Sequence, residues 1–365
     1  MKKYFLRTLL GLIIIMTFSS CDTAADPPMS RGGKYDFSSV DRFIEENAGV
    51  YKNGVAVLVM RDGELIYGKE NRMSIYTKRA IASSSKWLSG AVIMSLVDDN
   101  KISLDDTLGK YLPIFSQYNK GSITIRQLFS HTSGFPGNSS RDTLHGYEYR
   151  KDLTLAQAVD SIAAHVDLIH EPGTTFNYGE CSMQIAGRIA EIVSGKSWQS
   201  LFDEAIAKPC GMDINYVFAS AQNPMIGGGV RTSADDYIKF LEMIANKGVY
   251  SGNRVLSENS IIEMLSDQTK NSNIEWAPYI SNPYSPNPDA PVKYGIGNWR
   301  DVIDSTGSLQ ECSSPGLLGT HPWVDVKHNV AGIIFTLTEP KLSNLTSLKI
   351  REMIRNIIDD ATEEK

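Results

Sequence analysis

The sequence of 365 residues contains only four cysteines, Cys21, Cys181, Cys210 and Cys312, and none of them forms a C-x-x-C pair. Metal sites with cysteine ligands usually contain such pairs. Because the sequence also contains no recognisable zinc- or phosphate-binding motif, we expect no cofactor. Basic residues are also in the minority, with 36 lysines and arginines against 42 aspartates and glutamates. Because the net charge is −6 and no basic cluster stands out, nucleic acid is not an expected partner.

A long apolar run occurs only at the N-terminus. Lys2, Lys3 and Arg7 precede residues 9–18, an apolar stretch too short to span a bilayer comfortably. Ser19 and Ser20 then lead into Cys21. Small residues before a cysteine resemble the lipobox of bacterial lipoproteins, in which the cysteine takes the lipid and becomes the new N-terminus. The alternative is an ordinary signal peptide with an incidental cysteine.

These features divide the chain into a lipoprotein signal peptide (1–20), a lipidated tether (21–34) and one domain (35–365). The tether is polar and contains Pro27-Pro28 and Gly32-Gly33. We therefore expect an exported cell-envelope protein that contacts the membrane through lipid on Cys21. The other three cysteines cannot all pair with one another, and nothing in the sequence requires a disulfide. The oligomeric state is left open.

Strands are predicted near both ends of the domain, with helices between them. Residues 55–60 and 65–67, joined by Asp62-Gly63, are typical of a β-hairpin. Helices are predicted at 40–44, 83–99, after a Thr154/Gln157 capping box and at 235–245, and further strands at 294–302, 309–318 and 330–337. This order predicts an α/β (α+β) fold, with a central antiparallel sheet flanked by helices and an inserted all-helical lobe.

Ser83 and Lys86 form an S-x-x-K motif at the start of the apolar helix 83–99. Positions i and i+3 share a helix face, so Lys86 can reach Ser83. Serine needs a base to become a good nucleophile, and lysine can act as one if burial and a helix N-terminus lower its pKa. A solvated surface serine and lysine would give the same motif, but the apolar helix behind the pair favours a catalytic role.

A series of longer strings resembles the serine β-lactamase-related family, which includes class C β-lactamases, penicillin-binding-protein-like hydrolases and esterase relatives. The matching strings are IASSSK (81–86), ISLDD (102–106), KYLP (110–113), ITIRQLFSHTSGF (123–135), PGTTFNY (172–178), GGVRTS (228–233), YGIG (294–297) and GTHPWVD (319–325). They occur in the family's order and cover roughly residues 38–340. The resemblance implies the β-lactamase/transpeptidase fold, with a site between the sheet and the helical lobe.

The family's second motif, Tyr-x-Asn, corresponds to Tyr178-Gly179-Glu180. A literal Tyr51-Lys52-Asn53 precedes the serine and does not fit the order. The resemblance implies that Tyr178 helps to move the proton between serine, lysine and leaving group. Glu180 replaces an asparagine that contacts the lysine and the substrate, and a carboxylate there would favour the charged form of Lys86.

The family's third motif, Lys-Thr-Gly or His-Thr-Gly, does not occur in the sequence. Ser314-Pro315-Gly316 takes its place, whereas Ser305-Thr306-Gly307 lies too far upstream. The cation that would bind a β-lactam carboxylate is therefore missing, although Gly316 still allows a close backbone approach. The resemblance implies an oxyanion hole formed by the backbone amides of Ser83 and Leu317.

His131, His170 and His321 are interpreted as structural rather than catalytic. The predicted reaction is acylation of Ser83 followed by hydrolysis of a small-molecule or peptide substrate: an ester, an amide or a D-amino-acid peptide, with β-lactams less favoured. The alternative is a non-catalytic or weakly catalytic penicillin-binding-protein-like protein that binds cell-wall peptides.

Overall fold

The computed structural model describes residues 34–138, 146–278 and 290–363. The predicted signal peptide, Cys21 and nearly all of the predicted tether lie outside these ranges. Within them, no helix is both long and apolar enough to cross a membrane.

A central antiparallel sheet is built from the two ends of the domain. Strands β1 (Val55–Arg61) and β2 (Glu64–Asn71) form a hairpin, and β10 (Trp299–Ile303), β11 (Leu309–Ser313), β12 (His321–Asp325) and β13 (Val330–Thr336) form an antiparallel meander. The two groups join where β1 lies beside β13. The predicted sheet composed of both chain ends is thus confirmed.

Alternation along β1 assigns its side chains to two layers. Val55, Val57 and Val59 pack with Val40 of α1 (Ser38–Glu46) and Ile354 of α11 (Pro340–Glu363). The intervening Ala56 and Leu58 belong to the main core on the opposite face. Because side chains in a strand alternate with a period of two, one strand can contribute to both cores.

Most other elements lie between β2 and β10. The helices are α2 (Ser85–Asp98), α3 (Leu108–Tyr111), α4 (Pro113–Gln117), α5 (Ile125–Phe129), α6 (Leu155–His165), α7 (Cys181–Ser194), α8 (Trp198–Phe202), α9 (Ala234–Ala245) and α10 (Glu258–Leu265). The short strands are β3 (Arg79–Ala80), β4 (Thr175–Asn177), β5 (Asn215–Tyr216), β6 (Val230–Thr232), β7 (Val249–Tyr250), β8 (Asn253–Arg254) and β9 (Asn273–Trp276). They pair as β3-β6-β5, β4-β9 and β7-β8, so the inserted part is mostly helical rather than entirely so.

Several local predictions are confirmed, including the hairpin at Asp62-Gly63 and the capping box at Thr154 and Gln157. The predicted strand 309–318 is too long, because β11 ends at Ser313 before Pro315 and Gly316. The predicted strand 294–302 begins only at Trp299. Cys181, Cys210 and Cys312 are buried free thiols.

Candidate active site

Ser83 lies in a 3-10 turn, Ala82–Ser84, which leads directly into α2. Ala82 has a φ of +47°, an uncommon conformation for a residue with a Cβ. Residues held in sparsely populated backbone conformations cluster at functional sites. The adjacent hydroxyls are used structurally, since Ser84 Oγ donates to the Thr320 carbonyl at 3.4 Å and Ser85 Oγ to the Ala82 carbonyl at 2.7 Å.

Lys86 is completely buried one turn along from Ser83. Its Nζ donates to Ser83 Oγ at 3.2 Å, to the Gly227 carbonyl at 2.9 Å and to Glu180 Oε1 at 2.6 Å. Burial lowers the pKa of Lys86 below its ordinary value, and the nearby Glu180 carboxylate opposes that shift. Burial affects the pKa of Lys86 more strongly than the ion pair does. The neutral amine, which can accept a proton, is therefore populated at lower pH than for a lysine in water.

Glu180 stands at the N-terminus of α7, where it faces both Lys86 and the pocket. Its other oxygen, Oε2, is buried and has no hydrogen-bond partner among the described residues. A Cβ added to Gly227 would collide with this oxygen. Gly227 therefore makes room for the carboxylate, a role that its place at the start of three consecutive glycines did not reveal.

Tyr178 follows β4 and is held by backbone and ring contacts. Its amide donates to the Trp276 carbonyl of β9 at 3.1 Å, and its ring stacks on Trp299 with centroids 5.2 Å apart. Lys86 Nζ lies 4.9 Å from the Tyr178 ring centroid. Burial and the charge of Glu180 raise the pKa of Tyr178, while a hydrogen bond with Ser83 acts in the opposite direction.

The segment in the place of the third motif is the turn between β11 and β12. An added Cβ at Gly316 would collide with the Ile81 carbonyl oxygen, so this turn lies directly against the Ser83 segment. Pro315 and Leu317 line the pocket, and the Leu317 side chain is 69% exposed. Ser314 is buried instead, with its Oγ donating to the Gly297 carbonyl at 3.0 Å, and it does not line the pocket.

These residues surround a pocket of about 600 Å³. Its lining is mostly apolar or aromatic: Ala80, Ala82, Tyr149, Tyr178, Phe218, Met225, Trp276, Pro278, Pro315, Leu317 and Leu318, together with Ser83, Asn138, Glu180 and Gly228. Of these described lining residues, none carries a positive charge. A large apolar pocket with a few converging polar groups is the usual form of a small-molecule site.

The three histidines discussed above do not line this pocket. The buried His131 accepts a hydrogen bond from the Gly179 amide at Nδ1, 3.4 Å away, and its ring packs on Tyr178. His170 pairs with Glu275 near the surface. His321 is buried on β12 with Nε2 3.5 Å from Arg351, on the side of the sheet covered by α11.

Glu148 is a buried carboxyl that sequence reasoning missed. It lies in the 3-10 turn Tyr147–Tyr149 and is 2% exposed. Burial raises its pKa to about 7; the charge of Glu180 adds to the shift and the charge of Lys86 opposes it. Its proximity to Lys86 depends on how distant segments pack, and no local motif marks it.

The Beta-lactamase family model matches residues 40–351 of the chain. Protein Rv1367c of Mycobacterium tuberculosis is 26% identical over 296 residues, which cover 67% of this chain and 71% of that protein. Protein flp of Staphylococcus aureus strain COL is 30% identical over 173 residues, covering 44% of this chain and 34% of that protein.

Solved structures share the fold over most of the chain. A β-lactamase candidate from Bacteroides dorei DSM 17855 has a TM-score of 0.76 and 31% identity, covering 89% of this chain and 99% of that one. EstCE1, a hydrolase with promiscuous acyltransferase activity, has a TM-score of 0.69 and 20% identity, with coverage of 86% and 96%. The octameric penicillin-binding protein homologue from Pyrococcus abyssi has a TM-score of 0.66 and 20% identity, with coverage of 86% and 77%.

Proposed function

Since the chain belongs to the β-lactamase family, we propose that it is a serine hydrolase that is acylated on Ser83 and acts on uncharged esters or amides. The observation that carries the proposal is the 3.2 Å contact between Lys86 Nζ and Ser83 Oγ at the base of a largely apolar pocket. D-amino-acid peptides remain within the proposed substrate range, and β-lactams are less favoured.

In the proposed reaction, neutral Lys86 accepts the hydroxyl proton of Ser83 while Oγ attacks the substrate carbonyl carbon. The amides of Ser83 and Leu317 stabilise the oxyanion, and the contact of the Gly316 turn with the Ser83 segment supports this assignment. Tyr178 and Lys86 deliver the proton to the leaving group as the carbonyl re-forms. Water then attacks the acyl group, releasing the acid and free Ser83.

The test is covalent labelling of the full chain with a small, uncharged fluorophosphonate. We expect wild-type protein and the control Ser84→Ala to be labelled and Ser83→Ala to remain unlabelled, because Ser83 contacts Lys86 Nζ whereas Ser84 Oγ donates to the Thr320 carbonyl. Thermal unfolding of each variant verifies folding. Equal labelling of Ser83→Ala would contradict the assignment of the nucleophile.

A second candidate is a binding protein for cell-wall peptides with little or no turnover. The Lys86–Glu180 ion pair favours it, because the carboxylate opposes the effect of burial on the pKa of Lys86 and so reduces the fraction of neutral amine that can accept the serine proton. An unlabelled wild-type protein that binds a cell-wall peptide would support this candidate over the hydrolase.

A further inference from the structure

The mouth of the pocket is lined by apolar side chains that remain exposed. Tyr149, Phe218 and Leu317 all line the pocket, and they are 40%, 53% and 69% exposed. Single exposed apolar residues are ordinary, but their concentration around one opening is typical of a binding surface. We call these three residues the apolar rim.

Three separate chain segments supply the apolar rim. Tyr149 comes from the turn before α6, Phe218 from the loop between β5 and β6, and Leu317 from the turn between β11 and β12. The rings of Tyr149 and Phe218 meet edge to face with centroids 6.4 Å apart. Met225 and Trp276 line the same pocket, so apolar side chains from several segments border one opening.

Backbone contacts hold two of these segments in place. The Phe218 amide donates to the Gly229 carbonyl at 3.2 Å, and the Phe218 carbonyl accepts from the Met225 amide at 3.4 Å. In the Leu317 turn, the Gly316 amide donates to the Thr320 carbonyl at 2.9 Å. The apolar rim is thus largely formed in advance, which reduces the entropy cost of binding an apolar group.

We propose that the substrates are uncharged esters whose acyl or alcohol part is an extended apolar chain, bound along the pocket and across the apolar rim. This inference rests on the proposed function, because the ester carbonyl must lie at Ser83. The pocket is larger than an acetyl group requires, and the only formally charged described lining residue, Glu180, is paired with Lys86. An apolar chain gains from this surface by leaving water.

The experiment measures kcat/KM for two ester series, p-nitrophenyl esters with acyl chains from acetate to octanoate and acetates of alcohols of increasing length. Each fully buried methylene contributes roughly fourfold, so we expect a gain of at least ~100-fold along one series. Phe218→Ser should reduce the long-to-short ratio by about tenfold. Val217→Ser is the matched control, because Val217 is 52% exposed but does not line the pocket.

The control should retain the wild-type ratio, and thermal unfolding of both variants verifies that they fold. A ratio near one in both series, or equal ratios in Phe218→Ser and Val217→Ser, would overturn the inference. Labelling of Ser83 by the small fluorophosphonate separates the two proposals. If Ser83 is labelled but kcat/KM does not change with chain length, only the proposal of an extended apolar chain is contradicted. If Ser83 is not labelled, the proposed hydrolase function is contradicted.

Discussion

Lys86 is subject to two opposing influences on its charge. Burial disfavours the ammonium form, and the carboxylate of Glu180, 2.6 Å from Nζ, favours it. An asparagine in this place would leave burial largely unopposed. Glu180 therefore adjusts the pH range in which Lys86 can serve as a base.

Glu180→Gln tests this adjustment. Lys86 is competent as the neutral amine, which is populated above its pKa, and removal of the carboxylate lowers that pKa further. The rising limb of the pH profile for Ser83 labelling should move to lower pH by about one to three units. Glu275→Gln, which removes a carboxylate paired with His170 outside the pocket lining, should leave the limb in place. An unshifted limb in Glu180→Gln would show that Lys86 does not determine the profile.

The buried carboxyl of Glu148 should make the folded protein less stable as the pH rises. Its pKa is about 7 in the folded protein against an ordinary value of 4.5, so the folded state holds this proton more tightly. The contribution of protonated Glu148 to the free energy of unfolding is complete below pH 4.5 and is lost as the pH rises through 7. The total loss is roughly 3 kcal/mol. Glu148→Gln should remove this dependence and be more stable than wild type at pH 8.

Denaturant unfolding at pH 5 and pH 8 measures the difference directly. Glu64→Gln on β2 replaces an exposed carboxyl and should follow the wild-type protein at both values. If Glu148→Gln loses the same free energy of unfolding between the two values as wild type, Glu148 does not change its ionisation there.

Among the structural elements, the turn between β11 and β12 positions one side of the site. Gly316→Ala would place a Cβ against the Ile81 carbonyl oxygen, a backbone atom that cannot rotate away. The turn must then move away from Ser83, and the Leu317 amide moves with it. Because one oxyanion donor contributes about 100- to 1,000-fold, we expect Ser83 labelling to slow by at least tenfold.

Gly49→Ala is the matched control for this substitution. No atom lies within 4 Å of its added Cβ, and its backbone is not in the left-handed region. It should retain the wild-type labelling rate. Wild-type labelling in Gly316→Ala as well would mean that the turn does not contribute to the reaction.

The sequence predicted those elements that are specified by residues close together in the chain. The capping box at Thr154 and the hairpin at Asp62-Gly63 are of this kind, as is helix α2, which carries Lys86 and begins two residues after Ser83. The positions of Glu148 and Gly227 beside Lys86 depend on contacts between distant segments, which no local pattern records. Strand β12 and helix α11 were also missed, although isoleucines at 350, 354 and 358 have the spacing of a buried helix face.

At the scale of the whole molecule, the described pocket lining offers no cation to bind the carboxylate of an anionic drug. Three basic residues that could replace the missing cation do not line the pocket: Arg231 is exposed on β6, Lys293 pairs with Asp267, and His321 is buried beside Arg351. A lost charge-assisted hydrogen bond to a carboxylate costs roughly 1.5–3 kcal/mol. We therefore expect kcat/KM for nitrocefin to be lower than for a p-nitrophenyl ester.

A D-amino-acid amide in the same comparison tests the third substrate class. If nitrocefin exceeds the ester by tenfold or more, a cation reaches the pocket and the interpretation of Ser314 and Glu180 is wrong. Equal turnover of ester and D-amino-acid amide would support the wider substrate range.

Membrane attachment through Cys21 is a separate proposal that rests on the sequence alone. Cys21→Ala should prevent lipid addition and move the protein from the membrane fraction to a soluble or unprocessed form. Mass spectrometry of the mature N-terminus provides the measurement. A wild-type protein that is exported without lipid mass would contradict the proposal.

The sheet built from both chain ends also determines when the molecule can fold. Thr336 of β13 donates its hydroxyl to the Gly54 carbonyl beside β1, across 282 residues of sequence. During synthesis, β1 and β2 leave the ribosome long before β13 and α11, and the buried valines of β1 lack the β13 and α11 side of their core until those elements arrive. Contacts of such high sequence separation slow folding, so the native sheet should form only after β13 has left the ribosome.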